Sequence, residues 1–389
     1  MLMKKTNKFV YLMVGFLLKL VAIFKGQKIL KKVKITGPAI TLSNHTSWYD
    51  FAYTFAAIYP KGTTFLAAEK MFYDRRMGFW LKLAKAIPKK LFRADPKAVH
   101  STFKLLKQNE IVSIFPEGQI STTGRPIPIS FAIAKLVKRA RVDVYAITHE
   151  NASLVNPAWS KKSFKGKIYT SILPILSKNE IEFLSENEIY NRIVDKLAVD
   201  SSVINLSKKL KFKGKNIKGL ENVIYQCDKC KHVGLNTHKN EIICPSCNSR
   251  RIYDLFGLLD NKTIYEVYEK QKLYFIDSLK ENSNFKIESS TILESYDNDL
   301  IKPLGKGIIT LSKHGYNYQG SFRNQDVNIQ IPIEDVAALP GDLGRNIQIY
   351  YNDEFYQFKL PVHYLPSLFI LFSEVLYEKV TGNKSSGIF

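Results

Sequence analysis

His45 and Asp50 stand five positions apart in Asn44-His45-Thr46-Ser47-Trp48-Tyr49-Asp50, and Phe115-Pro116-Glu117-Gly118 follows downstream. Of the seven histidines, only His45 has an aspartate five residues on. An imidazole held by a carboxylate is a general base that works near neutral pH. Such a pair would take a proton from a substrate, and a loop carrying Glu117 and Gly118 could bind that substrate. Taken singly, the His-Asp spacing also fits a local hydrogen bond, and Phe-Pro-Glu-Gly a tight turn with a solvated glutamate. A second constellation is Cys227-Asp228-Lys229-Cys230, thirteen residues, then Cys244-Pro245-Ser246-Cys247. Two CxxC knuckles supply four thiolates that close a tetrahedral Zn²⁺ site and leave no coordination position open. That points to structural zinc held by Cys227, Cys230, Cys244 and Cys247.

The elements around the first constellation place it further. Residues 39–42 form a short apolar, β-branched run that reads as a buried strand. Thr46 or Ser47 then reads as a helix N-cap. His45 would sit in the strand-to-helix turn, with Asp50 in the first helical turn. Residues 111–115 read as a second buried strand, ended by a sharp turn at Pro116-Glu117-Gly118. Ligand sites of open α/β sheets gather at the carboxyl ends of strands, where both segments fall. Further strands are expected at 64–67, 142–147 and 168–172, with helices at 96–108 and 181–198. The alternation over residues 35–205 indicates an α/β fold, an αβα sandwich.

In this combination and order, the Asn44-His45-x4-Asp50 and Phe115-Pro116-Glu117-Gly118 blocks resemble those of the glycerophospholipid acyltransferase family. The resemblance covers about the first half of the chain. It implies that His45 deprotonates a glycerol hydroxyl, that this hydroxyl attacks an acyl thioester, and that Asp50 orients the imidazole. Substrate hydroxyl thus takes the place of serine in a triad. Asn44, Phe115, Pro116, Glu117 and Gly118 are implied as substrate-binding. The oxyanion formed in the reaction needs donors, expected among backbone N–H groups of the 44–46 turn. The family's usual arginine after this block is absent from Gln119-Ile120-Ser121-Thr122-Thr123-Gly124, a longer form similar to the 2-acylglycerophosphoethanolamine branch. For the family's arginine block between the two motifs, Arg93 in Lys89-Lys90-Leu91-Phe92-Arg93 is the best match. Lys89 and Lys90 could share phosphate binding there, and a solvated basic face is the alternative. Acyl-CoA or acyl-carrier protein is the implied donor and a lysophospholipid, foremost 1-acylglycerol-3-phosphate, the implied acceptor. No catalytic cofactor is required.

The 389 residues carry a formal charge of +22, and the first hundred hold 19 Lys+Arg against 4 Asp+Glu, a net +15. That field favours an anionic membrane surface or nucleic acid. Four cysteines in one short window exclude a disulfide scaffold. Residues 9–24 are apolar except for Lys19, flanked by Lys4, Lys5 and Lys8 and by Lys25, Lys28, Lys31 and Lys32. A span needs about 20 apolar residues. The segment therefore reads as an interfacial or re-entrant anchor on the cytoplasmic face of the cell membrane, with a buried helix or a true span as alternatives. A lysine-rich stretch with Lys208, Lys209, Lys211, Lys213, Lys215 and Lys218 reads as a solvated linker, with lipid contact if it lies beside the anchor.

The expected organisation is therefore fivefold. A membrane-associating segment (1–34) precedes the acyltransferase domain (35–206), a basic linker (207–222) and a zinc-ribbon-like module (223–255). Residues 256–389 begin with a helix and continue as strands closed by a helix near Pro366, a pattern that resembles pleckstrin-homology and GRAM modules. Two other functions compete. A zinc-ribbon nucleic-acid-binding protein explains charge and cysteines but leaves the apolar anchor and the His45–Asp50 pair as accidents. A lipid-binding adaptor with an inactive acyltransferase fold rests on the missing arginine alone.

Overall fold

The computed structural model describes residues 8–74, 77–91, 93–214, 216–281, 285–297 and 300–383. Lys4, Lys5, Phe92 and Lys215 lie outside them. The chain divides into two compact units, Met1–Ala158 with Ser163–Lys213, and Trp159–Lys162 with Gly214–Phe389.

The first unit is built on strands β1 (Gln27–Lys32), β2 (Ala39–Ser43), β3 (Thr64–Ala68), β4 (Ile87–Lys89), β5 (Ile111–Ile114), β6 (Asp143–Glu150) and β7 (Ile168–Leu176). Their order in the sheet is β1-β7-β6-β2-β5-β3-β4. The five strands from β6 to β4 run parallel, whereas β7 is antiparallel to β6 and β1 runs parallel to β7. Central β2 and β5 are buried along their whole length, as strands covered on both faces must be.

The unit's helices are α1 (Lys8–Phe24), α2 (Asp50–Ile58), α3 (Met77–Leu83), α4 (Pro96–Lys107), α5 (Ala132–Ala140), α6 (Ala152–Val155), α7 (Lys178–Phe183), α8 (Glu186–Leu197) and α9 (Ser201–Lys208). One sheet face packs Ile40, Leu42, Val112 and Val144 against Leu105 of α4, Val137 of α5 and Ile193 of α8. The other packs Ala39, Ile111 and Ile147 against Ala57 and Ile58 of α2. The result is the expected sandwich.

Three local readings change. The closing helix expected at 181–198 is two helices, because Ser177 and Ser185 each form a capping box, with Glu180 and Glu188, that restarts the chain. The lysines after α1 belong to β1, an edge strand that every residue but Gln27 leaves exposed, so no buried alternation betrays it. Helix α1 has two faces. Gly15 lets it lie against α2, where a Cβ would come within 2.7 Å of the Phe55 ring, and Tyr11 stacks on Phe55 at 4.7 Å. Outward, Met13, Phe16, Leu17, Ile23 and Phe24 are each more than half exposed.

The second unit carries a three-stranded antiparallel sheet of β8 (Asn236–His238), β9 (Glu241–Ile243) and β10 (Arg250–Ile252), then helix α10 (Ile264–Glu281). A seven-stranded antiparallel sheet follows, of β11 (Lys286–Asp297), β12 (Leu300–Ser312), β13 (Gly315–Phe322), β14 (Gln325–Ile331), β15 (Gly341–Asp342), β16 (Asn346–Tyr351) and β17 (Glu354–Lys359). Its order, β14-β13-β12-β11-β17-β16-β15, joins a four-stranded meander to a three-stranded one through the β11–β17 pair. Helix α11 (Leu365–Thr381) closes the module and buries Phe369, Ile370 and Phe372.

Candidate active site

Strand β2 delivers His45 to the carboxyl edge of the sheet, and α2 begins five residues later at Asp50. The expected cap at Thr46 or Ser47 is not formed. Instead Asp50 folds back over the turn, and its Oδ2 accepts from the backbone N–H groups of Thr46 at 2.7 Å and Ser47 at 2.8 Å. The same oxygen stands 3.1 Å from His45 Nδ1. Three donors converging on one carboxylate oxygen fix the imidazole with its Nδ1 proton directed at Asp50, which leaves Nε2 with the lone pair. Asp50 is fully buried, whereas the His45 side chain is 18% exposed, so the pair has a held side and an open side.

The second block braces the first. Glu117 Oε1 accepts from the backbone N–H of His45 at 2.9 Å, and its Oε2 from that of Ile127 at 3.4 Å. His45 in turn presents its carbonyl to Ser121 N–H at 2.9 Å. Phe115 stacks under the imidazole with ring centroids 4.3 Å apart. Pro116 opens the turn that ends at Gly118, whose φ of +76° is open to glycine and strained for most residues. Both oxygens of Glu117 are therefore engaged with backbone inside the site. The N–H groups of His45 and Thr46 are likewise committed, to Glu117 and Asp50, so the oxyanion donors expected among them are not available.

Burial pushes the Glu117 carboxyl up to about 8, against the two backbone N–H groups that favour its charged form, and the nearby Asp50 adds to the rise. The folded chain thus keeps a proton between pH 4.5 and about 8 that the unfolded chain has released. Stability from this group is full below 4.5 and is lost as pH rises through 8. Thermal unfolding followed from pH 5 to 8.5 should show Glu117→Gln, which cannot ionise, losing less Tm with rising pH than wild type. Parallel curves would contradict the shifted carboxyl.

Asn44 is held from the far side of the turn. Its Oδ1 accepts from His149 N–H at 2.8 Å and its amide donates to the His149 carbonyl at 3.3 Å. His149 is buried at the end of β6, its ring between the hydroxyls of Thr170, 3.0 Å from Nδ1, and Thr54, 2.8 Å from Nε2. Burial pushes it down to about 4, so it is neutral and structural at pH 7. No sequence signal marks His149, because only the strand pairing brings two positions 105 residues apart into contact.

Lys89, Lys90 and Arg93 are not part of this cluster. Lys89 ends β4, and its ammonium donates to the carbonyls of Lys90 and, at 2.8 Å, Arg93. Burial lowers its pKa, partly countered by Asp95. The registers Ala68↔Lys89, Phe65↔Ser113 and Thr41↔Ser113 put Lys89 at the same carboxyl edge as His45. Three strand spacings separate β4 from β2, roughly 14 Å. Arg93 is exposed.

The four cysteine sulfurs of the second unit lie within 4.8 Å of one another, with Cys227 and Cys247 at 3.7 Å and Cys230 and Cys244 at 3.6 Å. A Zn–S bond of about 2.3 Å in a tetrahedron places sulfurs about 3.8 Å apart. The donor set and its spacing therefore fit such an ion. Both knuckles share one turn, in which the residue four after the first cysteine, Lys231 or Asn248, takes positive φ and donates its N–H back to that cysteine's carbonyl.

An Acyltransferase family model matches residues 23–150, a stretch that holds His45, Asp50 and Glu117. The chain is 23% identical over 142 residues to the 1-acyl-sn-glycerol-3-phosphate acyltransferase of Bacillus subtilis (strain 168), covering 36% of this chain and 70% of that protein. It is 26% identical over 191 residues to the protein of the same name from Cocos nucifera, covering 47% of this chain and 60% of the relative. Among solved structures it is similar to the 1-acyl-sn-glycerophosphate acyltransferase PlsC from Thermotoga maritima, at 17% identity and a TM-score of 0.43, over 52% of this chain and 80% of that one. By the family model and the two curated relatives, residues 23–150 are an acyltransferase domain, and the chain is an O-acyltransferase.

Proposed function

We propose that the chain transfers a fatty acyl group from the thioester of acyl-CoA or acyl-carrier protein to the free hydroxyl of a lysophospholipid, foremost 1-acylglycerol-3-phosphate. The observation that carries this is the His45–Asp50 pair, with Nδ1 held by Asp50 and the His45 side chain partly exposed. In the reaction Nε2 takes the proton of the acceptor hydroxyl as its oxygen bonds to the thioester carbonyl carbon. The C–S bond then breaks, and the thiolate leaves with the proton returned by the imidazolium. Asp50 orients the ring. Glu117 acts through the His45 backbone and is a positioning residue, and Gly118 gives the loop its turn. The relatives' names support 1-acylglycerol-3-phosphate as the acceptor. A purified-enzyme comparison of 1-acylglycerol-3-phosphate with 2-acylglycerophosphoethanolamine tests it: kcat/KM should favour the former at least tenfold, and a reversed preference would refute the choice of acceptor.

Membrane association belongs to the same proposal. Among the described residues no helix is long and apolar enough to cross a membrane. The 17 residues of α1 span about 26 Å, short of the roughly 30 Å hydrocarbon core. Its exposed apolar face suits a helix lying in the interface, on the cytoplasmic side, with the lysines of β1 at headgroup level. Because its other face packs on α2, the informative change leaves that face intact. Phe16→Ser with Leu17→Ser should cut cosedimentation with neutral phosphatidylcholine vesicles at least tenfold while the melting profile is kept. Unchanged binding would contradict the interfacial reading.

Within the second unit we propose a module at about 223–255 stapled by structural zinc on Cys227, Cys230, Cys244 and Cys247, followed by the helix-closed β module.

A further inference from the structure

The lysine stretch after α9 is not wholly a solvated linker. Its first part, residues 210–213, folds back onto the first unit, where Lys213 and Lys165 exchange backbone hydrogen bonds of 2.8 and 2.9 Å. Together with the end of α1 and the start of β7 it encloses a cavity of about 830 Å³. Lys25, Lys165, Lys167, Lys211 and Lys213 line it, and no acidic residue does. Among the described residues none of the five meets a carboxylate.

The floor is built rather than incidental. A Cβ on Gly26 would stand 2.3 Å from the Gly166 carbonyl oxygen, and one on Gly166 would stand 2.4 Å from the Phe212 ring. Two glycines therefore let three segments pack closely, Gly26 on the Gly166 backbone and Gly166 on the Phe212 ring. Lys25 is further fixed by Ser163 and by the Tyr49 ring, 4.3 Å from its ammonium. Five lysines lining one cavity with Phe164 and Phe212, and no carboxylate among the lining residues, suit a phosphate.

The position selects the source of that phosphate. Register Gln27↔Ile168, with β7 antiparallel to β6, puts the cavity at the same sheet edge as His45 but on the flank away from Lys89. Two to three strand spacings, roughly 10–14 Å, lie between them. A glycerol phosphate reacting through its own hydroxyl at His45 keeps its phosphorus only a few bonds from that hydroxyl, and so does not reach. Phe24, 87% exposed, opens the cavity toward the apolar face of α1. We propose that this cavity holds the phosphate of an anionic phospholipid headgroup, a second lipid that does not react. The inference rests on the membrane-associated reading of α1.

The test uses the full chain and two variants of equal charge. One is Lys165→Gln/Lys211→Gln/Lys213→Gln. The control is Lys97→Gln/Lys104→Gln/Lys107→Gln on α4. Each is titrated with vesicles of pure phosphatidylcholine and of phosphatidylcholine with phosphatidylglycerol. Three lysines at an anionic surface contribute about 100-fold in partitioning. The cavity variant should lose about that factor on phosphatidylglycerol vesicles, keep its binding to neutral ones, and keep its melting profile, while the control loses clearly less. Equal losses in the two variants would overturn the cavity site, and would leave the α1 reading standing if neutral vesicles still bind. Wild type that binds neither vesicle defeats the α1 reading itself. Displacement of wild type from phosphatidylglycerol vesicles by soluble glycerol phosphate, but not by chloride of equal ionic strength, would make a free anion the occupant and overturn the proposal. So would cavity-dependent binding of an oligonucleotide with no difference on vesicles.

Discussion

Replacing His45 with alanine is expected to lower kcat/KM for acyl transfer by about 10²–10⁴-fold, the range for a positioned general base. The barrier is raised in one place: the acceptor hydroxyl must then lose its proton to water while its oxygen attacks. The fold should survive, because the backbone bonds of His45 to Glu117 and Ser121 do not depend on its side chain, and Asp50 keeps the Thr46 and Ser47 N–H groups as partners. Asp50→Asn gives the companion result. The amide keeps the shape but removes the charge that Nδ1 of His45 and two backbone N–H groups point to. The ring is then free to present the wrong nitrogen. A loss approaching that of His45→Ala, with no further loss when the two are combined, is the pattern of residues acting as a unit. Additive losses would mean that Asp50 acts apart from His45.

Metal removal is expected to have the largest structural effect. The module around β8–β10 has few buried apolar side chains, among them Leu235 and Ile242, and its three strands are three residues long each. Such a segment cannot offset its own chain entropy. Zinc bound by four thiolates contributes on the order of 10–16 kcal/mol in comparable small sites at pH 7. A strong chelator, or Cys244→Ser, should therefore open residues 226–253 to limited proteolysis, while metal analysis of the untreated protein finds one zinc per chain. Cleavage resistance that is unchanged by chelation would contradict a structural metal. Neighbouring contacts are not expected to rescue the module, although Gln271 of α10 accepts from the N–H groups of Tyr225 and Gln226 at 3.0 and 2.9 Å.

What could be read from residues alone was what depends on local order. Apolar β-branched runs gave β2, β5 and β6, Pro96 gave the start of α4, and the two CxxC knuckles gave the sulfur cluster. The His45–Asp50 contact was legible because five residues of turn bring it about. Contacts that depend on strand order were not. Glu117 looked free to meet substrate, yet it reaches 72 residues back to the His45 N–H. His45 and Thr46 drop out as oxyanion donors for the same reason, since their N–H groups are taken by Glu117 and Asp50. Residues 210–213 looked like solvated linker because lysine content says nothing of the cavity they help to enclose. Gln271, a polar residue within a helix, is buried rather than solvated because backbone N–H groups on another segment require an acceptor.

Purified full-length protein is given radiolabelled acyl thioester and 1-acylglycerol-3-phosphate in mixed micelles, and labelled lipid and free thiol are counted together. Wild type is expected to give one acylated lipid per thiol released, and His45→Ala neither above background. Equal turnover by the variant, or thiol release without acylated lipid from any lysophospholipid, would contradict acyl transfer through His45.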